Sequence, residues 1–201
     1  MIEIFADLWC PFAYVGIRRV FQYRDELSQN DVPIIVRSWP LELVNDAPMA
    51  QAKALGNCDA LREQIASDIF ANYELNNFPV TTLDGLTLIS QAYEQNIVAG
   101  EKASVVLREA IFELGHDVGN DSILQEIAAS LGISYAPDSE HVSVRRDWEE
   151  GKARGVVGSP HFLNGSDGVF CPSLQLTRTE DSGLIIHSNA EKLAAFLSTC
   201  F

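Results

Sequence analysis

The sequence predicts an α/β protein in which a βαβ unit, a long helical block and a ββα unit follow one another. Three observations carry that reading. Two short strand patterns near the N-terminus bracket a helix pattern, at a separation that fits a right-handed crossover between parallel strands. The chain from 45 to 154 then holds only helical periodicity. Strand patterns return after residue 160, ahead of a last amphipathic helix.

Residues 2–6 read as the first strand, with Ile2, Ile4 and Ala6 alternating with Glu3 and Phe5. Pro11 suits the first turn of the next helix, because its missing N–H would have no partner there. Ala13, Ile17, Val20 and Leu27 recur at helical spacing, with Arg18, Arg19 and Arg24 expected on a solvated face. Residues 33–39, Pro-Ile-Ile-Val-Arg-Ser-Trp, read as the second strand, stopped by Pro40. In the helical block the faces are marked by Leu61, Ile65 and Ile69, by Leu86, Ile89 and Tyr93, and by Val106, Ala110, Ile111 and Leu114. Ser122 and Gln125 have capping-box spacing ahead of Ile123, Ile127 and Leu131, and Gly132 supplies the stop. Asp138 is placed to cap a helix running through Trp148 to Arg154. Strands are expected at 160–164 and 168–177, as a hairpin around 164–168, with Leu184-Ile185-Ile186 as a further short strand or edge extension. Asn189 can cap a terminal helix that carries Leu193, Phe196 and Leu197. The helical block therefore reads as an insertion. Residues 1–44 with 155–201 form one domain and 45–154 the other, and the two share a cleft.

The 201 residues carry 28 Asp and Glu against 14 Lys and Arg, a formal net charge of −14. A field of that sign repels phosphate backbones and anionic lipid, which argues against nucleic acid and membrane surfaces as partners. No apolar run approaches the roughly 20 residues of a bilayer span. The N-terminus lacks the basic and apolar regions of a secretory signal, so the chain is expected in the cytoplasm. Cys10, Cys58, Cys171 and Cys200 are accordingly expected as free thiols. No paired Cys-x-x-Cys or His-x-x-x-His spacing is present, so no metal is expected. The glycines at 155, 158, 165 and 168 match neither a dinucleotide fingerprint nor a phosphate loop.

The most informative stretch is Asp7-Leu8-Trp9-Cys10-Pro11-Phe12-Ala13-Tyr14-Val15-Gly16. It puts a cysteine after a strand and at a helix start, where backbone N–H groups lack partners and the helix dipole is positive. Both favour thiolate, so Cys10 is expected to have a lowered pKa. A buried core cysteine is the competing reading. A second stretch, Gly155-Val156-Val157-Gly158-Ser159-Pro160-His161-Phe162, opens a strand with a proline, and the Ser159–Pro160 bond is a candidate for the cis form.

Together these motifs and the element order resemble the DsbA-like branch of the thioredoxin fold. That branch also includes the 2-hydroxychromene-2-carboxylate isomerases and kappa-class glutathione transferases. Trp39-Pro40-Leu41-Glu42-Leu43 and residues 112–118 with 123–128 support the likeness, which spans nearly the whole chain. The resemblance implies a thioredoxin-like sheet with an all-helical insertion. It implies Cys10 as the nucleophile, Pro11 and Phe12 as the dipeptide that tunes it, and Pro160 as a cis-proline. Ser159 would face substrate through its backbone, and Trp9 would line the cleft. No tightly bound cofactor is implied; glutathione or a related low-molecular-weight thiol is the expected co-substrate. The expected partner is a small thiol or disulfide, and a homodimer is left open.

The sequence departs from the dithiol pattern, because Ala13 occupies the second cysteine position. A mixed disulfide on Cys10 then needs an outside thiol for release. Three readings stand: a single-cysteine thiol–disulfide oxidoreductase, a thiol-dependent isomerase or transferase, and a binding module without catalysis. Cys171 is a distant candidate for a resolving thiol, with a half-buried strand cysteine as the favoured reading. A Cys10–His161 hydrolase pair is weighed and not favoured, since His161 can point to the other side of its strand. One of the helix arginines could attract the carboxylates of a small thiol.

Overall fold

The computed structural model describes residues 1–73, 78–179 and 183–201. Strand β1 (Ile2–Ala6), helix α1 (Pro11–Glu26) and strand β2 (Ile34–Ser38) form the expected βαβ unit. β1 and β2 are parallel, in register from Ile2 opposite Ile34 to Ala6 opposite Ser38. Strands β3 (His161–Asn164) and β4 (Asp167–Phe170) return antiparallel, giving the order β2-β1-β3-β4. β1 is thus interior, and every one of its residues is buried. Ile2, Ile4 and Ala6 pack with Ile17 and Val20 of α1 and with Leu193 and Leu197 of the C-terminal helix α8 (Ala190–Leu197). Phe5 packs on the other face, with Trp39, Val156 and Leu163. Both faces being covered explains why Phe5 blurs the alternation.

Among the described residues, six helices lie between β2 and β3: α2 (Leu41–Asn45), α3 (Gln51–Gln64), α4 (Leu83–Gln95), α5 (Ile97–Phe112), α6 (Asp121–Leu131) and α7 (Val142–Ala153). Their core joins Leu61, Leu86, Leu88, Leu107 and Phe112 to Trp9, Tyr14 and Val15 from the βαβ unit. Tyr14 stacks on Phe112 and meets Phe70 edge-on. The two halves of the chain therefore share apolar surface beneath the start of α1. Among the described residues no helix is long and apolar enough to cross a membrane.

Several local expectations are corrected. The single strand over 168–177 is two strands, because Cys171 adopts φ +43° and breaks the ladder. The second piece, β5 (Leu174–Arg178), pairs with β6 (Leu184–Ser188) as a separate antiparallel ribbon instead of extending the main sheet. Asn120, not Ser122, caps α6; its side chain accepts the Ser122 N–H. Gly132 ends that helix at φ +67°, as its type predicts. The Asp138 carboxylate accepts the Val142 and Glu140 N–H groups at 2.9 and 3.0 Å, and Asn189 caps α8. α3 stops at Gln64, so Ile65 and Ile69 lie beyond it, while Leu27 and Leu114 are exposed. Arg24 is not solvated: it is buried in a bidentate pair with Glu101, at 2.7 and 2.9 Å.

Candidate active site

Cys10 sits at the N-cap of α1 with an extended backbone, and Pro11 occupies the first helical turn. The Cys10 carbonyl accepts the Ala13 and Tyr14 N–H groups, both at 3.1 Å, and so opens the helix. The sulfur lies against the loop that enters β3. Its S–H donates to the Ser159 carbonyl at 3.1 Å. The Ser159–Pro160 peptide is cis. Residues far apart in sequence are therefore in contact at the site: α1 brings the sulfur, and the β3 entry brings an acceptor for its proton.

A buried carboxylate fixes this meeting. Asp7, at the end of β1, has no exposed surface. Its oxygens accept the Trp9 N–H at 3.0 Å, the Thr82 hydroxyl at 2.8 Å and the Leu41 N–H. Its own N–H donates to Ser159 Oγ at 2.9 Å. One residue thus joins the starts of α2 and α4 to both motifs of the site. Burial pushes the Asp7 carboxyl up to about 6, against the pull of those hydrogen bonds. Arg108 is also fully buried; it donates to Ser104 O and Oγ at 2.7 and 2.8 Å and approaches Asp7 O at 3.4 Å. Burial brings its guanidinium down to about 10, so it stays charged at neutral pH.

The Cys10 thiol is not acidic in this resting arrangement, contrary to the sequence expectation. Burial raises it to about 11, outweighing the Ser159 side chain and the Ala13 and Phe12 amides that pull it down. The reason is desolvation: Cys10 is 4% exposed, and a thiolate would lose its water. The neutral thiol instead spends its proton on the Ser159 carbonyl.

Above the sulfur opens a cleft of about 470 Å³. Cys10, Pro11, Phe12 and Ser159 line it, as expected, with Met49 and Leu176 among the apolar walls. Trp9 does not line it. The indole is buried, stacks on Phe78 and donates from Nε1 to Pro79 O at 2.8 Å. A buried indole needs an acceptor for its N–H, and the helical segment supplies one. Pro160 is buried behind the lining, and its carbonyl accepts the Cys171 N–H at 2.9 Å. His161 turns away: its Nδ1 accepts the Val157 N–H at 3.2 Å, and burial lowers its pKa. It makes no pair with Cys10. Arg19 donates to the Ser173 carbonyl at 2.8 Å and is not part of the lining.

Among the lining residues that sequence reasoning missed are Lys53 on α3 and Arg178 at the end of β5. Among the described residues they are the charged groups of the cleft wall, and both are exposed cations. Neither lies in a motif, so only tertiary folding could reveal them. Asp7 did carry a signal, a charge directly after a strand that is apolar but for Glu3.

A search of curated proteins finds no match. Among solved structures, the cytosolic disulfide reductase DsbM from Pseudomonas aeruginosa, determined with GSH, is similar with a TM-score of 0.62 at 14% identity, over 98% of this chain and 97% of that one. A 2-hydroxychromene-2-carboxylate isomerase is similar with a TM-score of 0.60 at 13% identity, over 84% and 87%. At such identities the likeness is one of fold. The DSBA-like thioredoxin domain matches residues 1–179, the span that holds Cys10, the cis Ser159–Pro160 bond and the helices between them. The chain therefore belongs to the DSBA-like thioredoxin family.

Proposed function

We propose that the protein is a thiol–disulfide oxidoreductase that works through Cys10 alone on a small external thiol or disulfide, in the cytoplasm. The observation that carries this reading is the Cys10 sulfur at the helix mouth, on the floor of an open cleft and in contact with Ser159. The Cys10 thiolate attacks one sulfur of a disulfide R–S–S–R. A Cys10–S–S–R bond forms and RS⁻ leaves. A second small thiol then attacks that bond, frees Cys10 and carries away R as a new disulfide.

Burial keeps the resting thiol protonated, and its S–H donates to Ser159 O. A substrate laid along Ser159 competes for that carbonyl. Once the S–H loses its acceptor the neutral thiol is less favoured, while the Ser159 side chain and the amides that open α1 remain to stabilise the thiolate. The substrate thus promotes the ionisation it needs. Lys53 and Arg178 favour an anionic partner, in keeping with glutathione or a related carboxylated thiol. Four free cysteines suit a reducing compartment.

The test is exposure to oxidised glutathione followed by intact-mass analysis. One glutathione should attach at Cys10, be removed by reduced thiol, and be absent in Cys10→Ser. A folded protein that acquires nothing at Cys10 would sink the proposal. A second reading, a thiol-dependent isomerase or transferase, is favoured by the Phe12, Met49 and Leu176 walls, which suit an aromatic substrate. It predicts tight binding of reduced glutathione with no disulfide turnover.

A further inference from the structure

With Ala13 where a second sulfur would stand, the Cys10 adduct has no partner on its own helix. The described thiols are not equivalent in this respect. Cys58 is 1% exposed within the helical core, and Cys200 lies beyond α8, where its sulfur donates to Phe196 O at 3.5 Å. Cys171 lines the same cleft as Cys10.

Four observations set Cys171 apart. First, it is bound to the other half of the dipeptide that holds Cys10: Cys10 Sγ donates to Ser159 O, and Cys171 N donates to Pro160 O. Both cysteines stand one hydrogen bond from adjacent carbonyls. Second, the Cys171 backbone is at φ +43°, a left-handed conformation that side-chain-bearing residues rarely hold. It occurs where the chain leaves the main sheet for the β5–β6 ribbon, and such outliers cluster at functional positions. Third, two cations flank it. Arg19 donates to Ser173 O at 2.8 Å, and Lys192 reaches Phe170 O at 3.4 Å. Both charges favour its thiolate, although burial holds the resting thiol high. Fourth, Cys171 also lines a second depression of about 280 Å³, with Lys192 and Asn189, so it lies between two surface openings.

We propose that Cys171 is a resolving thiol for Cys10, supplied from the β4–β5 junction in place of the missing position on α1. The step rests on the attack proposed for Cys10, which remains the one cysteine to meet the external disulfide, and puts Cys171 in place of the second small thiol that would otherwise release the adduct. The Cys171 thiolate attacks the Cys10 sulfur of Cys10–S–S–R. A Cys10–Cys171 disulfide forms, and R leaves as the thiolate RS⁻, which takes up the proton that Cys171 released. The internal disulfide is reduced by two equivalents of a low-molecular-weight thiol, which become one small disulfide. Closing the bond needs the two α-carbons within roughly 7 Å. Cys171 would make that approach from the junction where the chain leaves the main sheet for the β5–β6 ribbon.

The experiment treats the full-length protein with oxidised glutathione, quenches in acid at intervals, and reads intact mass and linked peptides. In the wild type, the glutathione adduct on Cys10 should appear and then disappear, replaced by a species two hydrogens lighter than the reduced protein, with a Cys10–Cys171 peptide cross-link. Cys171→Ser should keep the adduct, and Cys200→Ser should behave as wild type. A wild-type adduct that persists with no cross-linked peptide overturns the resolving role while leaving Cys10 exchange intact. Absence of any Cys10 adduct in every variant overturns both. The peptide measurement on the wild type requires no substitution, so a poorly folding Cys171→Ser leaves the outcome decided.

Discussion

The floor and the wall of the cleft are built on opposite principles. The floor is Cys10, Asp7, Ser159 and Thr82, tied by hydrogen bonds between segments far apart in sequence, with Cys10, Asp7 and Thr82 buried. The wall is α3 and β5, carrying Lys53 and Arg178 in solvent. Low dielectric on the floor makes each charge expensive, so ionisation there is controlled by contact with substrate. High dielectric at the wall makes each charge inexpensive and weak, so it can select partners without committing the chemistry. The contrast teaches that reactivity and selectivity are separable here, and each should respond to different changes.

The largest expected effect is on the floor. With its thiol raised to about 11 by burial, Cys10 should alkylate with a neutral reagent at a rate that climbs about tenfold per pH unit from pH 7 to 10. Free glutathione, by contrast, should level off above about pH 9. Stopped-flow alkylation of the wild type, with Cys10→Ser as blank, measures this. A Cys10 plateau at or below the free-thiol range would show that the helix amides prevail over desolvation, and the floor would no longer differ from an exposed helix start.

Next in size is the loss of the knot around Asp7. Asp7→Ala leaves the Trp9 and Leu41 N–H groups and the Thr82 hydroxyl without their acceptor. Each buried orphan costs about 1–3 kcal/mol, partly offset by removing a buried charge, so a net destabilisation of about 3 kcal/mol is expected. Lys53→Ala on the wall should change stability by less than about 0.5 kcal/mol. Urea unfolding of both variants compares the two regions directly; equal effects would erase the distinction.

How much of this was legible beforehand follows the same division. The βαβ unit was readable because its signals are local: alternation in 2–6, Pro11 at the first turn, Pro40 after the strand. The split at Cys171 was not, since a cysteine carries no marker for a left-handed backbone, unlike Gly132. The meeting of Cys10 with Ser159 spans 149 positions, and only the family resemblance foretold it. Trp9 was misplaced because an amphipathic ring beside a cysteine suits a cleft and a core equally well, and the deciding acceptor, Pro79 O, lies 70 residues away. Lys53 and Arg178 look like ordinary surface cations in sequence. The floor is thus partly written in short motifs, while the wall exists only after folding.

A smaller effect should appear in the pH dependence of stability. Asp7 has a folded pKa of about 6, above the roughly 3.9 of an unfolded aspartate. The folded protein therefore binds this proton more tightly than the unfolded chain. The stability it contributes is fully present below about pH 4 and is lost as pH rises through about 6, a change on the order of 2 kcal/mol. Asp7→Asn should remove that slope. Because the Asp7 charge also helps to raise Cys10, the same variant should shift the Cys10 alkylation profile to lower pH. Guanidinium unfolding at a series of pH values, subtracting Asp7→Asn from wild type, isolates the contribution; a flat difference between pH 4 and 7 would mean that Asp7 is not desolvated.

The smallest effect belongs to the wall, and its form matters more than its size. Charge reversal at Lys53 or Arg178 acts through water, where a single exposed charge contributes about 1 kcal/mol at most. The rate of Cys10 with oxidised glutathione, an anionic disulfide, should fall roughly fivefold for Lys53→Glu or Arg178→Glu. With a neutral disulfide such as bis(2-hydroxyethyl) disulfide the rate should hold, since the sulfur chemistry is set beneath. With cystamine, a dicationic disulfide, it should rise. Raising salt to about 1 M shortens the screening length to about 3 Å and should collapse all three differences. The Cys10 alkylation profile, a floor property, should not move. If the reversals instead slowed every disulfide alike, the wall would be acting on Cys10 itself, and selectivity and reactivity would be one property of the site rather than two.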